Sequence, residues 1–152
     1  MLIEVKVKVA RRVEDKVKKK IETYIIYKEF FSEAEYAIMQ ELTEEQKSNL
    51  LDDFEVQSLK LSTIKEIYSN YTGNSAFVAT LKDIFLEPDG TEKTTKYKVL
   101  LWADNLTEAT KRTIEVSHQG YSMTIESLKE VDWIYVKEEL VKNTPEEQEN
   151  IQ

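Results

Sequence analysis

The sequence predicts an α+β fold of two β-β-α-β repeats with pseudo-two-fold symmetry, in which antiparallel or mixed sheets carry their helices on one face. Three observations predict it. Phe77, Ala79 and Leu81 follow Ile3, Val5 and Val7 at one constant offset. Leu106-Thr107-Glu108-Ala109 follows Phe31-Ser32-Glu33-Ala34 without a gap from the preceding strand. Met123-Thr124-Ile125-Glu126-Ser127-Leu128-Lys129 mirrors Phe54-Glu55-Val56-Gln57-Ser58-Leu59-Lys60 and ends in the same Ser-Leu-Lys. Shared order, cap and strand ending mark an internal repeat, over about residues 1–70 and 74–140.

Each element has a local reason. Ile3, Val5, Val7 and Val9 alternate with Glu4, Lys6 and Lys8, the period-two pattern of a strand with one buried face. The charged run from Arg11 to Lys20 reads as a turn or long hairpin tip around Glu14-Asp15. Thr23–Tyr27 is a β-branched and aromatic run, hence a second, more buried strand. Ser32-Glu33-Ala34-Glu35 matches a capping box, with Ser32 as the cap, and Ala34, Ala37, Ile38 and Leu42 form an apolar helical stripe. A second start signal at Thr43-Glu44-Glu45-Gln46 predicts a break and a short further helix with Leu50 and Leu51. Phe54 and Val56 open a third strand.

In the second half Pro88-Asp89-Gly90 supplies the turn, and Tyr97–Trp102 the second strand. A helix with Ile114 is expected to stop near Gly120. Residues Val131–Val141 continue as a strand or a helix. In each unit the helix should connect two parallel strands, with the first strand between the other two. Residues 1–142 are expected to form one globular domain, and residues 143–152 a polar acidic tail broken by Pro145.

Composition removes most common chemistry. The 152 residues include no Cys, so disulfides, zinc thiolates and thiol nucleophiles are excluded. A single His excludes any site with two imidazoles, and three scattered Gly residues leave no phosphate-binding loop. No apolar run approaches the ~20 residues of a membrane span, and the alternating N-terminus is a strand and not a signal peptide. The expectation is a cytoplasmic, non-enzymatic protein with no cofactor, no metal and no membrane partner; an oligomer stays open.

Charge is uneven. Residues 1–20 contain eight Lys/Arg and three acids, a net +5 in a chain of net −8. Lys8, Arg11, Arg12, Lys16, Lys18, Lys19 and Lys20 are therefore the candidate nucleic-acid-binding residues, because a basic hairpin on an acidic body suits contact with phosphates. A solvated edge hairpin that Lys protects from strand pairing explains the same residues. Tyr27 and Trp102 sit at matched repeat positions, as base-stacking platforms or as core aromatics. Glu33 and Glu108 are also matched; first-turn helix carboxylates explain them better than a catalytic acid pair. His118 has no triad partner at a recognisable spacing, and Asp83, Glu87 and Asp89 lack the register of a calcium loop.

Phe31–Glu35, Phe54-Glu55-Val56, Ile64–Tyr68, Phe77-Val78-Ala79 and Leu106–Ala109, in this order, resemble a domain family of unknown function found in Bacteroidetes gut bacteria and their tailed phages. The resemblance spans nearly the whole chain and rests on structural motifs, so it transfers no functional residue. It implies a phage or mobile-element setting. Two functions then compete: an accessory protein of phage or mobile-element replication that binds single-stranded nucleic acid through the basic hairpin, and a protein-binding module that uses the same hairpin edge. The module would be an inhibitor of a host factor, or a subunit of a virion or other assembly.

Overall fold

A computed structural model of the chain describes residues 1–117 and 123–137 and shows an α+β structure of two helices and two mixed four-stranded sheets. In chain order the elements are β1 (Leu2–Val13), β2 (Lys16–Tyr27), α1 (Phe31–Lys47), β3 (Leu51–Leu61), β4 (Ile64–Tyr68), β5 (Ser75–Leu86), β6 (Glu92–Ala103), α2 (Leu106–Ser117), β7 (Thr124–Val131) and β8 (Ile134–Val136). They form two compact units. The first runs from Met1 to Ser62 and resumes at Trp133; the second is Thr63–Asp132. None of the described helices is long and apolar enough to cross a membrane.

The first unit has the strand order β3-β1-β2-β8. β1 is antiparallel to both β2 and β3, so the strands on either side of it run parallel and α1 makes the crossover. The alternation read in β1 puts Ile3, Val5, Val7 and Val9 on one face, with Tyr24 and Ile26 beside them on β2. Ala34, Ile38 and Leu42, four residues apart on α1, close over that face. Each fully buried Val, Leu or Ile in this layer contributes on the order of 2 kcal/mol.

The second unit repeats the plan with the order β4-β6-β5-β7 and a core of Phe77, Ala79, Leu81, Val99, Leu101, Ala103, Ala109 and Val116. The correspondence extends to irregularities. The β1–β3 ladder slips between Lys6 and Val7, and the β5–β7 ladder slips between Thr80 and Leu81, the same place at the repeat offset. Val5 faces Leu59 and Val7 faces Val56, just as Ala79 faces Leu128 and Leu81 faces Ile125. A matched bulge fits an internal repeat, since bulges are kept within families. Each sheet gains a short fourth strand in parallel pairing: β8 beside β2, and β4 beside β6.

Several local expectations need correction. Neither Ser32 nor Thr107 is a cap. α1 starts two residues earlier than a Ser32 cap implies, at Phe31, and Glu33 Oε1 accepts from the Phe30 amide at 3.2 Å. α2 starts at Leu106, where Asn105 Oδ1 accepts from the Glu108 amide at 2.9 Å and Glu108 reaches back to the Asp104 amide at 3.0 Å. The reciprocal glutamates are thus Glu33 and Glu108, and their expected role at the helix starts fits this geometry.

α1 does not break at Thr43. The Thr43 hydroxyl donates to the Met39 carbonyl at 2.7 Å, which satisfies it inside a continuous helix. Leu50 and Leu51 are not helical either. Asn49 adopts φ 62°, and the amides of Asn49 and Leu50 donate to the carbonyls of Gln46 and Glu45, a Schellman ending that turns the chain into β3. Ile114 points outward, and Ala109, Thr113 and Val116 form the buried stripe of α2. β2 begins at Lys16 and not at Thr23, because the charged stretch is already paired with β1. The expected stop at Gly120, His118 and the tail 143–152 lie outside the described residues.

Candidate nucleic-acid interface

The basic stretch forms one uninterrupted hairpin. Twelve residue pairs join β1 to β2, from Leu2–Tyr27 to Val13–Lys16, and Glu14-Asp15 makes the turn. Glu14 has φ 59°, as the first central residue of a type II′ turn requires, a place where Gly is usual. The core layer ends at Val9, so the hairpin beyond it is largely exposed.

The register sorts the candidate cations by face. Directly opposed residues share a face, so Arg11, Lys16, Lys18 and Lys20 lie on the α1 side, where Arg11 faces Lys18 and Val9 faces Lys20. Lys8, Arg12 and Lys19 lie on the other side, among Ala10, Val17 and Ile21. Lys16, Lys18 and Lys20 are spaced two residues apart, roughly 7 Å, as a row along one strand.

The arginines are committed elsewhere. Arg11 is four-fifths buried and makes a two-pronged contact with Glu22, from Nε at 2.5 Å and Nη2 at 2.8 Å. Its Nη1 and Nη2 also donate to Glu45 on α1 at 3.2 and 3.1 Å. Tyr24 donates its hydroxyl to Glu22 at 2.7 Å. Glu22 is only 7% exposed; burial raises its pKa, but the hydrogen bonds from Arg11 and Tyr24 outweigh that and lower it below the ordinary value. Burial, then the bond to Glu22, pushes the Tyr24 phenol up. Arg12 pairs with Asp52 at 2.6 Å. Arg11 is therefore a clasp between the hairpin and α1, and its guanidinium is not free for a phosphate.

The lysines differ. Lys20 approaches Glu22 at 3.5 Å. Lys8, Lys16, Lys18 and Lys19 form no ion pair among the described residues. The hairpin thus presents a row of three lysines on one face and two further lysines with exposed Val17 and Ile21 on the other.

Of the two stacking candidates, only Tyr27 shares a unit with this row. Tyr27 is 52% exposed but closes the opposite end of β2, seven residues or about 23 Å beyond Lys20. Trp102 belongs to the second unit, where it faces Ala76 and is half-buried. Asp89 accepts from the Thr91 amide and hydroxyl at 3.0 and 2.6 Å within the β5–β6 turn, which is turn chemistry. Among the described residues no three His, Asp or Glu side chains gather as a metal-holding group.

Two groupings escape sequence reasoning. One is the Arg11–Glu22–Glu45–Tyr24 cluster. The other is Arg112, which donates to the Thr72 and Trp102 carbonyls at 2.6 and 2.7 Å and lies over the Tyr71 ring. The first had a signal: Arg11 continues the odd-numbered alternation Ile3, Val5, Val7, Val9, which puts it on the buried face. The second had only the Glu108–Arg112 spacing of four on α2, an ion pair at 3.4 Å; its carbonyl partners on Thr72 and Trp102 carry no side-chain signal.

Neither a curated protein nor a solved structure matches the chain. A family model does match, over residues 1–138, and the chain belongs to that family, described as a domain of unknown function (DUF4494).

Proposed function

We propose that this chain is a non-enzymatic binding protein whose β1–β2 hairpin holds single-stranded nucleic acid by its phosphates, as an accessory protein of phage or mobile-element replication. One observation carries the reading: Lys16, Lys18 and Lys20 form a regular row on the part of β2 that outreaches the core. A row of ammonium groups at strand spacing suits a flexible phosphate backbone, which adapts to it; a rigid duplex groove demands more cationic surface. Arg11 supports the row from below by tying the hairpin to α1, and Lys8 and Lys19 add charge from the reverse face. The phage or mobile-element setting comes from the resemblance alone.

The test is fluorescence anisotropy with a labelled oligo-dT in a salt series. Three lysine contacts give a slope near −2 for log K against log salt, at about −0.7 per phosphate contact. Lys16 and Lys18, which form no ion pair among the described residues, changed to Glu together should weaken binding at least tenfold with the fold intact. No binding of the unaltered protein at low salt refutes the reading.

A protein-binding module is favoured by a different observation. β8 covers β2 only at Tyr24–Ile26, so the outer edge of β2 from Lys16 to Thr23 has no strand partner among the described residues. An acidic peptide in extended form could add to that edge. Binding of such a peptide, with no binding of oligonucleotide, would select this second reading.

A further inference from the structure

We propose that the β5–β6 hairpin joins two copies of this chain, edge to edge, in a two-fold dimer centred on Thr94. The argument begins with an uncovered edge. β4 pairs with β6 at Lys98, Val99, Leu100 and Leu101, and among the described residues no strand pairs with the outer edge of β6 from Glu92 to Tyr97. The β5–β6 ladder runs through twelve pairs without a bulge, so this edge is regular. The remaining long edges are bulged: β3 and β7 each carry a register slip. The repeat-equivalent edge on β2 is guarded by Lys16, Lys18, Lys19 and Lys20, the usual defence against pairing. β6 has only Lys93 and Lys96 in that stretch, with Thr94 and Thr95 between them. A regular edge whose two lysines can both avoid another lysine in an antiparallel pair is where a strand of another chain adds.

Apolar exposure marks the same hairpin. Ile84, Phe85 and Leu86 are 49%, 43% and 72% exposed, three large side chains in a row beside the open edge. Ile84 faces Thr94 and Leu86 faces Glu92, so both stand on the face that carries Glu92, Thr94 and Lys96. In a two-fold dimer the strand order is β5-β6-β6-β5, so Ile84 and Leu86 of each copy flank the central Glu92–Lys96 pairs on one continuous face, about 14 Å from their counterparts.

Charge and length pick the occupant and the register. In an antiparallel pair centred on Thr94, Glu92 of one copy lies opposite Lys96 of the other, twice by symmetry, and Thr94 lies opposite itself. Lys93 faces Thr95, so no lysine opposes a lysine. Tyr97 then lies opposite Thr91, where the turn begins, so the overlap stops before the segment that β4 covers. A second copy thus fills the gap with complementary charges, in the closed two-fold arrangement commonest among oligomers. This surface is separate from the lysine row, and the inference stands or falls independently of nucleic-acid binding.

The test exploits the absence of Cys. Thr94→Cys places two thiols across the two-fold axis, where opposed Cα atoms are about 4.5–5.5 Å apart and a disulfide can form. Mild oxidation of the full chain should convert Thr94→Cys to a covalent dimer, at least tenfold faster than Lys93→Cys, whose thiols are offset. Sedimentation velocity on the cysteine-free protein supplies the second arm. Glu92→Lys alone, or Lys96→Glu alone, should shift the population to monomer, and the two together should restore the dimer. Equal cross-linking at positions 93 and 94, a monomer at every concentration tested, or a dimer indifferent to the charge exchange would each overturn the proposal.

Discussion

Arg11→Ala separates a structural arginine from a phosphate ligand. The substitution removes every hydrogen bond that the guanidinium gives to Glu22 and Glu45 and leaves the Glu22 carboxylate 93% buried. Loss of one partner from a buried ion pair costs about 3–5 kcal/mol. Here Lys20 at 3.5 Å and the Tyr24 hydroxyl at 2.7 Å still serve Glu22, and Glu45 is partly solvated, so about 2–3 kcal/mol is expected. For a chain of this size that is a fall of roughly 5–10 °C in Tm, read by circular dichroism with a urea series. pH gives a second readout. The folded pKa of Glu22 lies below its ordinary 4.5, so its contribution is present above that pH and is lost as pH falls through the folded value. The stability gap between the native protein and Glu22→Gln should therefore be full at pH 7 and shrink below about pH 4.5. An Arg11→Ala protein as stable as the native one, yet weakened in oligonucleotide binding as much as the lysine variants, would refute the clasp.

Further substitutions probe the turns and the second unit. Glu14→Gly should stabilise the protein by about 0.5 kcal/mol, since Glu pays on the order of 1–2 kcal/mol at positive φ and Gly less, measured by urea midpoint. Gly73→Ala should destabilise it by on the order of 2 kcal/mol, because the added Cβ would stand 2.4–2.6 Å from the backbone of Ala103; an unchanged midpoint would contradict that packing. Asn49→Ala should cost about 1 kcal/mol at the helix ending, and Asn49→Gly should be neutral or better.

The elements governed by simple periods were legible in the sequence. The alternation in β1, the matched strand endings and the Pro88-Asp89-Gly90 turn all specify local backbone, and all stand where they were read. Boundaries failed where two signals overlapped. Ser32 precedes Glu35 by three residues and imitates a cap, yet Phe31 joins the helix and Glu33 closes the box. Thr43-Glu44-Glu45-Gln46 imitates a start, but a helix already under way absorbs it, and Asn49 supplies the true stop. β4 was not assigned, and β8 lies within Val131–Val141, read as either a strand or a helix, because five- and three-residue strands carry too little pattern; their place is set by the edges of β6 and β2. For the candidate site, composition found the basic hairpin but could not sort it. Once the register is known, Arg11 leaves the phosphate set, Tyr27 falls about 23 Å from Lys20, and the lysines divide between two faces.

The most direct measurement of the central claim is a ¹⁵N-resolved NMR titration of the full chain with oligo-dT at low salt. The account predicts saturable shifts at the amides of Lys16–Lys20 and their β1 neighbours, reversed by added salt, with the Ile38 and Leu42 core amides of α1 unmoved. A titration that leaves the β1–β2 hairpin unmoved, or that shifts only residues of the second unit, would contradict it.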